Sequence, residues 1–89
     1  MKEFTVKVKD ASGIHARPAG LLVKEASKYE SSITLDLNGK IADGKRIFSV
    51  MGLAAKYGDT LKITIVGKDE ETASENIKVF LENNLWGDL

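Results

Sequence analysis

The sequence predicts an α+β fold, a four-stranded and mainly antiparallel sheet with three helices on one face. Two observations predict it. Four segments alternate apolar and polar residues with period two, which places one face of each strand on a core and leaves the other wet. Three further segments carry apolar residues at helical spacing, and the elements follow one another in the order βαββαβα. At 89 residues the chain has room for one domain, residues 1–89, and one core.

Phe4, Val6 and Val8 alternate with Thr5, Lys7 and Lys9, predicting a first strand that stops near Asp10. "DASG" is turn chemistry, and beyond it Ala16, Ala19, Leu22, Val23 and Ala26 share one helical face, so a first helix is expected to about Lys28. "SITLDL" alternates again. Asn38-Gly39 is the strongest two-residue hairpin signal, since both residues tolerate positive φ, and it folds the second strand back into a third around Lys40 to Ala42. Ile47, Val50, Met51 and Ala54 then predict a short second helix, with Gly58 as its stop signal and Ser49 and Gly52 weakening it. "TLKITIV" supplies the fourth strand. "KDEETASENIKVFLENNL" opens with acidic residues suited to a helix N-terminus and carries Ala73, Ile77, Phe80 and Leu81 on one face of a last helix.

Composition narrows the function. Thirteen basic and thirteen acidic residues give zero formal charge, so no global field exists to hold nucleic acid or an anionic membrane. With no cysteine and one histidine, neither a disulfide framework nor a common metal-ligand set is available, and no metal or cofactor is expected. No apolar stretch approaches the ~20 residues that cross a bilayer, and no leader pattern precedes the first strand. A cytoplasmic, monomeric protein is the expectation.

The chemistry concentrates in "SGIHARPAG", residues 12–20, which hold the only histidine and the only proline. Pro18 has fixed φ and no amide hydrogen, so it belongs in the first turn of a helix and places His15 at or just before that helix start. Amide hydrogens there lack intrahelical partners and, with the helix dipole, favour an anion such as a phosphoryl group. Arg17 can grip two phosphoryl oxygens at once. A positive helix end disfavours imidazolium, which leaves the ring of His15 neutral and nucleophilic. Ser12, Ala16 and Gly20 are small enough to leave that ring open to another protein. A lone histidine near a helix start is more often a cap or a surface residue; this one is set apart by turn, histidine, arginine and first-turn proline falling together.

With these residues in view, the chain resembles the histidine-containing phosphocarrier (HPr) family of the bacterial sugar phosphotransferase system. "GIHARPAG" is similar to that family's signature, and "LVKEASKY", "NGK" and "VMGLAAKYGDTLKITIVGKDEETA" extend the likeness over essentially the whole chain. The resemblance implies an open-faced sandwich and a relay in which His15 takes a phosphoryl group from phospho-enzyme I and passes it to the A domains of sugar permeases. It further implies that Arg17 neutralises the group while the amides of Ala16 and Arg17, and the Ser12 hydroxyl, support it. Such a protein is regenerated each cycle, a carrier and not an enzyme.

The second helix suggests where partners sit. Its segment "RIFSVMGLAA" is apolar nearly all round, so Val50, Leu53 and Ala54 are expected inward and Ile47, Phe48 and Met51 outward as a docking patch, with Met able to repack for several partners. Arg17, Gly20, Leu21, Lys24 and Lys28 fall on one stripe of the first helix and would supply a basic rim for acidic partners; for Lys28 a plain solvated position is the better reading. Many relatives from Gram-positive bacteria carry a kinase-regulated serine just before this apolar run. Here Arg46 stands there, so regulation at that position is excluded and Ser49 is the remaining candidate. The alternatives are a regulatory adaptor of the same fold that binds a transcription factor or a metabolic enzyme, and a carrier in a non-sugar relay. A small-molecule binding module finds no phosphate loop or paired carboxylates to support it.

Overall fold

A computed structural model describes residues 1–10, 13 and 16–83. The elements are β1 (Lys2–Lys7), α1 (Ala16–Ala26), β2 (Ser32–Leu37), β3 (Lys40–Asp43), α2 (Ile47–Met51), β4 (Thr60–Val66) and α3 (Glu70–Glu82), in the order that the periodicities predict. The four strands form one antiparallel sheet in the order β1-β4-β2-β3.

Register turns the alternation into layers. Phe4 lies opposite Ile63, Ile63 opposite Leu35 and Leu35 opposite Ala42, an apolar row across the whole sheet. The adjacent row, Thr5, Lys62, Asp36 and Ile41, points the other way. Since a slip of one residue would exchange the two faces, burial of the first row fixes the pairing. Among the described residues the helices cover that face: Ala19, Leu22 and Ala26 of α1, Val50 of α2 and Ala73, Ile77 and Leu81 of α3 join it in one buried cluster. The described residues contain no helix long and apolar enough to cross a membrane.

Three boundaries differ from expectation. β1 ends at Lys7 and not near Asp10, although Val8 stays fully buried and exchanges backbone hydrogen bonds with Asp59 and Gly58 at 2.9 Å. α1 ends at Ala26, two residues before Lys28, because the amides of Lys28 and Tyr29 turn to carbonyls three residues back, Glu25 and Ala26, both at 3.2 Å. The Lys45 ammonium then reaches the Tyr29 carbonyl at 2.6 Å.

The third difference is larger. α2 closes after Met51 and Ala54 lies outside it, exposed, with φ of 52°. The reason is in the core: Leu53 and Ala55 are both buried, and residues two apart cannot share one face of a helix. The chain leaves the helix at Gly52 so that both can point inward.

Candidate functional site

α1 begins at Ala16, directly after His15 in the chain, and Pro18 sits buried in its first turn. His15 and Ser12 lie outside the described residues. Between them in the chain, Gly13 has φ of 72° and donates its amide to the Asp10 carbonyl at 2.9 Å. Positive φ at this point is what glycine supplies at least cost. The amides of Ala16 and Arg17 belong to the helix positions with no intrahelical acceptor, Pro18 has no amide hydrogen, and no acidic residue occupies the first turn. The positive end of α1 therefore carries no carboxylate of its own.

Arg17 is exposed, and its guanidinium makes no hydrogen bond or ion pair among the described residues. Ala16 is exposed beside it, followed along the same face by half-buried Gly20 and by exposed Leu21 and Lys24. α1 meets α2 at Gly20, where an added Cβ would stand 3.6 Å from Ile47 Cδ1. A glycine lets the two helices approach.

Beyond that contact Phe48 is 84% exposed, while Ile47 and Met51 are half-buried and pack against the core cluster. The outward trio is thus one free aromatic flanked by two side chains with a foot in the core. Val50 and Leu53 point inward; Ala54, expected with them, does not. Arg46 precedes α2 with extended backbone (φ −126°, ψ 116°), exposed and with no side-chain cap bond. The Ser49 hydroxyl accepts the Asp43 amide at 2.8 Å, which ties the end of β3 to α2.

The basic residues of this side divide into two groups. Lys28 pairs with Glu25 at 2.9 Å, and that hydrogen bond, followed by the Glu25 charge, raises its pKa. Lys45 is bound to Tyr29, as above. Arg17, Lys24 and Arg46 remain exposed without ion pairs among the described residues. Sequence reasoning missed the segment at residues 54–56, which packs on Gly13; the only signal for it was two apolar residues, Leu53 and Ala55, spaced for alternation and not for a helix.

By its fold the chain falls in the class of small, open-faced α+β sandwiches, and comparison with known proteins narrows that class. The family model of the PTS HPr component phosphorylation site matches residues 2–83. The phosphocarrier protein HPr of Mycoplasma genitalium is 42% identical over 85 residues, 94% of this chain and 97% of the relative. The HPr-like protein Crh of Halalkalibacterium halodurans is 39% identical over 82 residues, covering 92% of this chain and 98% of the relative. Among solved structures, a histidine-containing phosphocarrier protein from Mycoplasma superposes with a TM-score of 0.93 at 36% identity, over 99% of this chain and all of the other. The chain belongs to the HPr family, the phosphocarriers of the phosphotransferase system.

Proposed function

We propose that this protein carries a phosphoryl group on His15, accepting it from phospho-enzyme I and passing it to the A domains of sugar permeases. The observation that carries the reading is the family signature "GIHARPAG" standing at the start of α1, with α1 beginning at the residue after the histidine. A ring nitrogen of His15 forms its bond to phosphorus as the donor's bond to the same phosphorus breaks. Arg17, exposed and without a partner among the described residues, neutralises charge on the transferring group, and the amides of Ala16 and Arg17 face it from the helix end. Ser12 contributes its hydroxyl. In the second half of the cycle the same bond breaks toward the permease domain, so the protein is returned unchanged, a carrier and not an enzyme.

Gly20, Leu21, Lys24, Arg46, Ile47, Phe48 and Met51 form the docking surface, an apolar centre with a basic rim suited to acidic partners. We place the protein in the cytoplasm as a monomer. The test is incubation with enzyme I and labelled phosphoenolpyruvate: an acid-labile, base-stable label absent from His15→Ala is expected. A folded protein that takes no label would favour the second reading, a regulatory adaptor, which the 39% identity to an HPr-like Crh protein keeps in view.

A further inference from the structure

Ala54 and Asn38 are the non-glycine residues with positive φ among those described, at 52° and 53°. Asn38 sits in the hairpin turn, where asparagine is at home. Ala54 has no polar side chain to bond locally, and an L-residue with a Cβ is disfavoured in the left-handed region. It is held there by its surroundings. Leu53 and Ala55 are buried on either side, its own amide donates to the Met51 carbonyl at 3.0 Å, and the next turn is closed by the Lys56 amide on Asp59 Oδ2 at 2.8 Å.

What this conformation achieves lies across a backbone contact. A Cβ placed on Gly13 would stand 2.5 Å from the Ala55 carbonyl oxygen and 3.2 Å from Lys56 Cα, so the segment after Ala54 rests directly on the Gly13 backbone. Only Ile14 and His15 separate Gly13 from Ala16, the first residue of α1. Gly13 is thus held against the segment after the Ala54 turn, and Ala16 by its helix. Strained residues that persist because their neighbours over-determine them are a recurring feature of functional sites.

We propose that the left-handed turn at Ala54 is a positioning element for His15, acting through the Ala55 carbonyl and Gly13; this rests on the reading of His15 as the phosphoryl acceptor. Ala54→Gly keeps the conformation accessible and releases its strain, so the melting temperature rises while the His15 ring proton resonances and the transfer rate from phospho-enzyme I hold. Ala54→Val disfavours the conformation, and Gly13→Ala fills the contact. In each, the His15 ring resonances and titration midpoint move and transfer falls roughly tenfold to a hundredfold, as misplacement of a reacting group by about an ångström produces. Since both remove one contact, the double variant is no slower than the slower single one.

Folded Gly13→Ala and Ala54→Val proteins with native His15 resonances and native transfer overturn the proposal. Should neither variant fold, the native chain answers: phosphorylation must shift the amide resonances of Ala54 to Lys56 together with that of Gly13, and an unmoved Ala54 segment overturns the proposal equally. Displaced His15 resonances in Gly13→Ala, with the native protein itself taking no label from enzyme I, would leave the positioning role standing and remove the acceptor role.

Discussion

The Asp69 carboxylate accepts hydrogen bonds from the amides of Glu30 and Ser31 and from the Ser31 hydroxyl, joining the start of β2 to the residue before α3. Ser31 is buried, so its hydroxyl depends on this acceptor. The Ser31 hydroxyl first and the Glu30 amide next hold the Asp69 pKa below its ordinary value. Glu70 is held down likewise, first by its hydrogen bond from the Met1 ammonium and then by the Gly67 amide. A folded-state pKa below the unfolded one contributes stability that is present above the unfolded value, about 4, and lost as pH falls through the folded value. Urea midpoints should therefore fall as the pH is lowered from 5 to 2, with the slope reduced in Asp69→Asn. An acid limb equally steep in that variant would show that other carboxylates govern it. At the same scale, Phe48 at 84% exposure has little folding role, so Phe48→Ala should change stability by less than about 0.5 kcal/mol. Its expected effect is a raised KM for this protein in the enzyme I reaction, and a native KM would remove Phe48 from the docking surface.

Among the elements, the hairpin and α2 teach opposite lessons about legibility. Asn38 and Gly39 both adopt positive φ, at 53° and 94°, and the Asp36 carboxylate accepts the Gly39 amide at 2.7 Å. Here the local chemistry and the fold agree, and Gly39→Val should destabilise by roughly 1–2 kcal/mol through the left-handed penalty alone. In α2 they conflict. The apolar spacing of Ile47, Val50, Met51 and Ala54 continues helically, yet the core requires Leu53 and Ala55 side by side, and the tertiary demand ends the helix at Met51. Nothing local in "GLAAKYG" announces a left-handed alanine. Arg46 at the entrance to this element removes the hydroxyl that a regulating kinase would need, so treatment with HPr kinase should leave this position unmodified. Phosphate found at Ser49 would show that control had moved, and would also break the bond from the Asp43 amide. Arg46→Ser should slow transfer from enzyme I at low salt; an unchanged rate means that the fixed charge has no part in docking.

Across the whole molecule, Ile63 stands in the middle of the apolar row, fully buried between Phe4 on one strand and Leu35 on another. Ile63→Ala should cost about 2–5 kcal/mol, a large share of the stability of a small domain, and a urea midpoint close to native would contradict the packing described. This scale was the most legible in advance, because period-two segments such as "TLKITIV" can hide only one face and thereby dictate a layered sheet. The candidate site was legible in its residue types around "GIHARPAG" and not in its support, since contacts such as Gly13 on Ala55 join segments about forty residues apart that no local pattern links. The balanced composition likewise did not show which cations stand without an ion pair among the described residues, Arg17, Lys24 and Arg46.

The bare face of the sheet offers experimenters a handle. Thr5 lies there, paired with Lys62, on the side of the strands that no helix among the described residues covers, in a chain without a single cysteine. Thr5→Cys would give one thiol for a fluorophore or a tether, pointing away from the helical layer that holds α1 and α2. Partner association could then be followed on the intact protein, or the protein fixed to a surface by its back, with the helical side left free.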